Sequence, residues 1–284
     1  MTSPWTDGWR HLRVAQEAGV ATVTLEHPPI NLLTVPFFLE LARLGEALAQ
    51  AHDVRAVVVR SANPDFFVAH FDVEAILRLP ADGAPAPGAP NAFHALCERW
   101  RTLPQATLAQ VEGRVGGGGS EWIQALDMRF GVRGRTVLSQ MEVAVGILPG
   151  GGGTQRLPRL VGRGRALEIV LGAGDVDAAT AERWGLLNRA FAPDEIGPFV
   201  ERLARRIASF PPEAVRLAKR AVDAAALPLA EGLAEESFLF ETLLRTPAAR
   251  RAMQRFLEQG GQTREIELRV GEWIERLGAD GAAD

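Results

Sequence analysis

The sequence predicts an α/β fold, because short runs rich in β-branched residues alternate with amphipathic helical segments and helices dominate its second half. Residues 54–60, VRAVVVR, have the length and composition of a strand that is buried on both faces. In residues 36–52, apolar side chains recur at helical spacing. With 284 residues, 47% apolar and 23% charged, the chain is long enough for one large domain, or for a domain with an appendage.

Composition excludes several classes of protein. The formal charge of −4 and the pI near 5.8 argue against a nucleic-acid binder built on electrostatics. Cys97 is the only cysteine, so we expect no disulfide framework, no cysteine-rich metal site and a reducing, cytoplasmic location. No apolar run reaches the roughly 18 residues of a membrane-spanning helix, and residues 1–16 lack the apolar core of a signal peptide. We therefore expect no membrane association.

The first half of the chain predicts strand, turn and helix units in order. The pattern of residues 12–25 predicts two strands around a turn at residues 17–19. The helix at 36–52 and the strand at 54–60 follow. Residues 63–73 leave this strand through a Pro-Asp turn, and Asp72 is a plausible N-cap for a further helix. Residues 80–92 are rich in Pro, Ala and Gly, which predicts a mobile surface loop or lid. A helix at 93–103 and a strand at 106–111 follow.

The second half is predicted to be mostly helical. Helical spacing indicates helices at 164–172, 177–184 and 194–209, with a short strand at 186–191 between the last two. Pro211 starts another helix, since proline is favoured in the first turn. Residues 227–259 are helical with a break near Thr246 and Pro247, and residues 263–277 form a last amphipathic helix.

Residues 111–156 contain two glycine runs, each associated with a glutamate. Gly116 to Gly119 precede Ser120, Glu121 and a helical pattern, so backbone N–H groups are free at a helix N-terminus. Glu142 lies in an apolar run, predicted to be a strand, that ends in Pro149 and a second glycine turn. Two such turns can form an oxyanion hole for a carbonyl oxygen, and two glutamates can divide general-base and general-acid roles on one water.

Simpler interpretations remain open for each of these signals. A glycine run alone can be a flexible turn, and Glu121 can be an ordinary helix N-terminal acid favoured by the macrodipole. The glycine run lacks the spacing of a P-loop or of a dinucleotide-binding turn. The histidines show no HExxH or paired metal spacing, so we expect no metal site.

The stretches GGGGSEWIQALDMRF and PGGGGTQRLPRLVG resemble the enoyl-CoA hydratase/isomerase (crotonase) family, over about residues 14–257. The resemblance implies a crotonase-like spiral of ββα units over residues 1–205, which carries the acyl-CoA site. It implies a C-terminal helical region over residues 206–284 that is used for trimerisation, often in hexamers. Acyl-CoA thioesters are the implied substrates, with coenzyme A as part of the substrate and no separate cofactor.

The resemblance also assigns roles to particular residues. The two N–H groups of the family's oxyanion hole fall on Phe71 and Gly118. Glu121 matches the glutamate that orients and activates water, and Glu142 matches the one that gives a proton to the α carbon. The implied substrate-binding positions lie in the same two loops: Ala69, Phe71, Asp72, Val73, Gly117 and Gly118.

The chain departs from the family pattern at several positions. The first loop usually reads Ala-Gly-Ala/Gly-Asp, whereas residues 69–72 here read Ala-His-Phe-Asp and are bulkier at the mouth of the acyl site. Ser120 replaces a position that is commonly small or cysteine, and Met141 stands where proline is common. One extra residue separates the two glutamates.

Three functional hypotheses follow. The leading one is addition of water across the double bond of a trans-2-enoyl-CoA. The second is another reaction of acyl-CoA thioesters, such as double-bond isomerisation, decarboxylation or thioester hydrolysis, because one oxyanion hole serves many chemistries. The third is a non-catalytic binding protein, including one that binds RNA. Only the basic residues of 201–220 favour this hypothesis.

Overall fold

Two sheets form the framework of the protein in a computed structural model that describes residues 6–80, 88 and 90–280. The larger sheet has the strand order β1-β2-β3-β5-β7-β10 and the smaller one β4-β6-β8-β9. The strand bounds are β1 Leu12–Glu17, β2 Val20–Leu25, β3 Ala56–Ser61, β4 Phe66–Val68, β5 Ala106–Val111, β6 Arg114–Gly116, β7 Met128–Val132, β8 Val137–Ser139, β9 Val176–Asp177 and β10 Arg189–Phe191.

From β3 to β8, consecutive strands alternate between the two sheets. β3, β5 and β7 lie in the larger sheet, and the strand that follows each of them lies in the smaller sheet. β1 and β2 form an antiparallel hairpin and β9 is antiparallel to β8, whereas the other pairs are parallel. Helices follow the strand pairs, which gives the ββα units that the resemblance implies.

The helices cover the sheets and continue into a helical C-terminal part. Their bounds are α1 Val35–Gln50, α2 Val73–Leu77, α3 Ala92–Arg101, α4 Gly117–Gln124, α5 Gly153–Val161, α6 Arg163–Gly172, α7 Ala178–Trp184, α8 Ile196–Ala208, α9 Pro212–Asp223, α10 Leu229–Leu244, α11 Pro247–Glu258, α12 Arg264–Glu267 and α13 Val270–Asp280. Short 3₁₀ helices span Glu142–Val145 and Ala224–Ala226.

The core lies on both faces of the larger sheet, as the β-branched run of β3 predicts. Val57 and Val59 pack in the main cluster with the fully buried Trp100 and Trp122. The alternate residues of β3 pack in a second cluster with the buried face of α8. Because side chains alternate across a strand, burial of both sets requires helices on both faces of the sheet.

Most predicted elements are confirmed. The short strands β4, β6, β8 and β9 were not predicted, because two or three residues are too few to show a period. The helix predicted at 263–277 is divided into α12 and α13. The loop predicted at 80–92 falls largely on residues 81–87 and 89, which lie outside the described residues, while Asn91 caps α3 with its side chain.

The C-terminal helices pack against different helices that precede them in the chain. α13 packs against α8, and α10 packs against α9. The predicted boundary after residue 205 falls inside α8, so the division into two regions and the oligomerising role of the second one stay predictions. Within the described part of the chain, no helix is long and apolar enough to cross a membrane.

The basic residues of 201–220 that favoured an RNA-binding role are largely engaged in ion pairs. Arg205 pairs with Glu17 and Glu201, and Lys219 pairs with Asp127 at 2.9 Å. The other paired cations of this segment are Arg206, Arg216 and Arg220. The pairs of Arg206, Lys219 and Arg220 join α8 and α9 to neighbouring elements, whereas the Arg216–Glu213 pair lies within α9.

Candidate active site

The first loop of the site is held by a short parallel bridge between Leu33 and Phe71. The N–H of Leu33 donates to the His70 carbonyl at 2.9 Å, and the N–H of Asp72 donates to the Leu33 carbonyl at 3.0 Å. The N–H of Phe71 lies between these bonds and finds no acceptor within the described residues. Asp72 accepts the N–H of Glu74 and caps α2, as predicted from the sequence.

The second loop is the glycine run, which the structure places partly inside α4. Gly117 is the first residue of this helix, with a φ of +47° that favours glycine. The N–H of Gly118, in the first turn, has no acceptor earlier in the helix, and the described residues supply none. The run therefore forms the helix N-terminus itself, not a flexible turn before it.

Phe71 and Gly118 lie next to each other. A Cβ atom placed on Gly118 would lie 3.2 Å from the Cβ of Phe71 and 3.1 Å from the ring of Phe93. A Cβ on Gly119 would lie 2.6 Å from the Cγ1 of Val68. Glycine is therefore required for α4 to approach β4 and the 69–73 loop this closely.

Glu121 is buried on α4 and is held by the second glycine turn. Its Oε1 accepts the N–H of Gly151 at 2.8 Å and the N–H of Gly153 at 2.7 Å. Its other oxygen, Oε2, lies 2.9 Å from the position that a Cβ on Gly151 would take. Both backbone donors thus converge on one oxygen, and Oε2 remains available for another partner.

Glu142 is buried at the start of the 3₁₀ helix Glu142–Val145, after β8 has ended. The prediction that it lies on a strand was wrong, because the apolar run after it does not pair with a sheet and its side chains from Val143 to Leu148 are exposed. A Cβ placed on Gly117 would lie 3.4 Å from the Oε1 of Glu142 and 3.2 Å from the Cβ of His70. Glu142 therefore lies beside the glycine run and the first loop.

A chain of buried amides connects Glu142 to α4. The Nε2 of Gln140 donates to Oε1 and Oε2 of Glu142 at 3.0 and 3.2 Å. The Oε1 of Gln140 accepts from the Nε2 of Gln124 at 3.0 Å. The same Nε2 also donates to the Oγ of Ser120 at 3.2 Å. Because Gln124 donates to the Gln140 oxygen, the nitrogen of Gln140 must face the carboxylate. This fixes the Glu142 side chain relative to the helix that carries Glu121.

Burial raises the pKa of both glutamates. The pKa of Glu121 is raised to about 7, chiefly by burial and also by the charge of Glu142, while the N–H groups of Gly153 and Gly151 and the charge of Arg156 lower it. The pKa of Glu142 is also raised, chiefly by burial, although its own N–H, Gln140 and His70 oppose the shift. Two neighbouring carboxyl groups with raised pKa values can share one proton between them.

An aromatic cluster borders the two N–H groups. Phe38, Phe71 and Phe93 pack with ring centroids 5.6 to 6.3 Å apart. The ring of Phe93 also lies against Gly118 and Gly151, since Cβ atoms on either glycine would meet it. The space beside the two glutamates is therefore bounded by aromatic carbon.

The structure brings all of the predicted site residues into one region. Ala69 is buried and its N–H donates to the Ile30 carbonyl, and Val73 is the first residue of α2 and is 40% exposed. The sequence reasoning missed Gln140 and Phe93. The position of Gln140, a polar residue two positions before Glu142, could have pointed to it. Nothing local could have pointed to Phe93, which reaches the site through tertiary packing.

The thiol of Cys97 lies beside α4, with its Sγ 4.0 Å from the carbonyl oxygen of Glu121. Cys97 is fully buried, and burial raises the pKa of its thiol to about 12, so the thiol stays protonated. Within residues 6–80, 88 and 90–280, no group of three or more His, Cys, Asp or Glu side chains is placed to hold a metal ion.

Known proteins match this chain over most of its length. The family model for enoyl-CoA hydratase/isomerase matches residues 15–264. The short-chain-enoyl-CoA hydratase of Clostridium acetobutylicum is 31% identical over 86% of this chain and 93% of its own length. The crotonyl-CoA hydratase of Syntrophomonas wolfei is 30% identical over 88% of this chain and 96% of its own length.

Solved structures match the fold. The enoyl-CoA hydratase of Bacillus anthracis superimposes with a TM-score of 0.80 at 27% identity, over 88% of this chain and 97% of that chain. This agreement confirms the crotonase-like fold. On this family match and this fold, the chain belongs to the enoyl-CoA hydratase/isomerase family.

Proposed function

We propose that the protein is an enoyl-CoA hydratase, which adds water across the 2,3 double bond of an enoyl-CoA thioester. The observation that carries the proposal is the pair of buried glutamates, Glu121 and Glu142, beside the N–H groups of Phe71 and Gly118, which have no acceptor among the described residues. Coenzyme A would enter as part of the substrate, without a separate cofactor.

The oxyanion hole comes first in the proposed mechanism. The thioester carbonyl oxygen accepts hydrogen bonds from the N–H groups of Phe71 and Gly118. These donors stabilise negative charge on that oxygen and draw electrons from the conjugated double bond, so the β carbon becomes electrophilic. The loss of one such donor typically lowers turnover by about 100- to 1000-fold. Ala69, Asp72, Val73 and Gly117 surround the thioester from the same loops.

The glutamates then supply and remove protons. Glu121 in its ionised form takes a proton from water through Oε2, because both backbone donors occupy Oε1. The resulting hydroxide bonds to the β carbon, and Glu142 in its protonated form gives its proton to the α carbon. Hydrogen and hydroxide are thus both delivered, and a proton exchange between the glutamates and solvent restores the starting state.

The aromatic cluster favours a short acyl chain in this proposal. The ring of Phe93 lies against both glycine turns, and the relatives named above act, by their names, on short-chain enoyl-CoA and crotonyl-CoA. We expect crotonyl-CoA to be a better substrate than enoyl-CoA thioesters of longer chains.

The test measures turnover of crotonyl-CoA by loss of the conjugated thioester absorbance, with identification of the product. Glu121→Gln and Glu142→Gln should each lower kcat by at least about a hundredfold, while thioester binding stays nearly intact. Glu168→Gln, at an exposed position of α6, is the control and should leave kcat unchanged.

The product decides between hydration and the other reactions of the family. A 3-hydroxyacyl-CoA thioester supports the proposal. Free coenzyme A, an isomerised double bond or release of carbon dioxide in place of the hydroxy product would contradict it, as would near-normal turnover in both glutamine variants.

A further inference from the structure

The guanidinium of Arg156 contacts the turn that binds Glu121. Its Nη1 donates to the carbonyl of Gly151 at 3.1 Å, and its Nη2 donates to the Oε1 of Glu98 at 2.5 Å. The side chain is 16% exposed, so it is largely held within the protein. Arg156 therefore joins the second glycine turn to α3.

The bonded carbonyl lies at the centre of the turn. It belongs to the peptide between Gly151 and Gly152, and the peptides on either side carry the two N–H groups that bind Glu121. Gly152 has a φ of +111° and no side chain that could hold this conformation. The guanidinium packs where a Cβ of Gly152 would lie. Holding the central peptide thus limits the movement of both donors.

Further ion pairs extend from Arg156 to the C-terminal part of the chain. Glu98 also accepts from the Nε of Arg101 at 2.8 Å, and the Nη1 of Arg101 donates to Asp223 on α9 at 2.6 Å. These side chains form one wall of a cavity of about 1080 Å³ between α3, α5 and α9. Glu98 and Asp223 are half exposed, so each pair alone stabilises the fold little, but together they fix where Arg156 lies.

We propose that Arg156 is a positioning residue, which aims the Gly151 and Gly153 N–H groups at Glu121 and is itself held by Glu98, Arg101 and Asp223. This inference rests on the proposed role of Glu121 as the base. It adds that α9, outside the catalytic loops, contributes to the state of that base.

The electrostatics of the site agree with this role. Arg156 and the two N–H groups lower the pKa of Glu121, while burial and Glu142 raise it. The Cys97 thiol on α3 also lies near Glu121 and stays protonated. Loss of Arg156 removes a positive charge and loosens the two donors, so both consequences raise the pKa of Glu121.

The test uses a carboxyl titration together with kinetics. In protein labelled with ¹³C at the glutamate carboxyl groups, the Glu121 resonance is assigned by its loss in Glu121→Gln. Arg156→Gln should raise the Glu121 pKa by about one unit, lower kcat about tenfold near pH 7 and move the acidic limb of the pH–rate profile upward, with KM nearly unchanged. Arg156→Lys retains the charge and should show a smaller shift.

Arg159→Gln is the matched control. Arg159 lines the same cavity on α5, but its guanidinium donates to the Gln155 carbonyl and does not contact the turn. Asp223→Asn should shift the Glu121 pKa in the same direction as Arg156→Gln, by less. If Arg156→Gln does not fold, the titration of Arg156→Lys decides.

Two results would overturn the inference. One is an unchanged Glu121 pKa in the Arg156 variants, and the other is an equal shift in Arg159→Gln. The titration does not need turnover, so a wild-type protein without hydratase activity would refute the proposed function and leave this inference separately testable.

Discussion

At the scale of single residues, the two oxygens of Glu121 are in different environments. Oε1 accepts two backbone N–H groups, whereas Oε2 accepts none of them. This arrangement orients the carboxylate without using the oxygen that a water would approach. Burial meanwhile raises the pKa of the group to about 7, which is near the value that a general base needs at neutral pH.

The raised pKa predicts the pH dependence of hydration. The base must be ionised, and the ionised fraction of Glu121 grows as pH rises through about 7. We expect kcat/KM for crotonyl-CoA to fall about tenfold for each pH unit below about 6 and to level off above about 8. Initial rates between pH 5.5 and 9 measure this, and a profile that is flat below pH 7 would contradict it.

Phe93 gives a prediction about chain length. Its ring lies against both glycine turns, so Phe93→Ala should open space beyond the β carbon. We expect the ratio of kcat/KM for trans-2-hexenoyl-CoA to that for crotonyl-CoA to rise about tenfold, within the usual range for pocket contacts. Phe38→Ala, in the same aromatic cluster but not against the glycines, should change the ratio less. An unchanged ratio in both variants would show that Phe93 does not limit the chain.

At the scale of elements, the site depends on two glycine turns that bring backbone close to side chains. A Cβ on Gly151 would lie 2.5 Å from the Phe93 ring and 2.9 Å from the Oε2 of Glu121. Neither neighbour can move without disturbing the site, because the ring is packed and the carboxylate is held. The turn therefore tolerates no side chain at this position.

Gly151→Ala should consequently lower kcat by about a hundredfold or more, the size expected when an acid–base group is misplaced. Gly164→Ala on α6 is the control, because a Cβ there meets open space, and it should keep wild-type turnover. Steady-state kinetics with crotonyl-CoA, with thermal unfolding to check the fold, provide the measurement. Equal activity of the two variants would contradict this account of the turn.

Some elements of the fold and the site could be predicted from the sequence, and others could not. β5 spans the predicted residues 106–111. It could be predicted because a proline and a charged residue mark its ends and its apolar run is long enough to be recognised as a strand. The roles of Phe71 and Gly118 were assigned from the family resemblance. The position of the Phe71 loop depends on its bridge to Leu33, and a contact between residues so far apart in the chain could not be predicted from local sequence. Glu142 was assigned to a strand because the apolar residues after it suggested burial in a sheet. An apolar run can equally lie on the protein surface, as Val143 to Leu148 do here.

At the scale of the whole molecule, α10 presents an apolar stripe to solvent. Its residues recur at helical spacing and are 38 to 78% exposed: Leu229, Leu233, Phe240 and Leu244. Exposed apolar surface of this kind commonly marks an interface between proteins. It is consistent with the prediction that the C-terminal helices mediate assembly.

We predict that the protein forms a trimer or hexamer and that Phe240→Glu shifts it toward the monomer. A charge in the stripe would be buried without a partner in the assembled protein, and this is strongly unfavourable. Light scattering after size-exclusion chromatography measures the mass. Glu231→Gln, on the opposite face of the same helix at an exposed position, should leave the mass unchanged. A monomeric wild-type protein would refute the prediction.

The buried thiol of Cys97 has a practical consequence for such measurements. Because the chain has one cysteine and that thiol is both inaccessible and protonated, maleimide reagents should leave the native protein unmodified. A cysteine introduced at a surface position would then be the sole point of attachment for a fluorophore or spin label. Distances between labelled subunits could be measured without first removing the native residue.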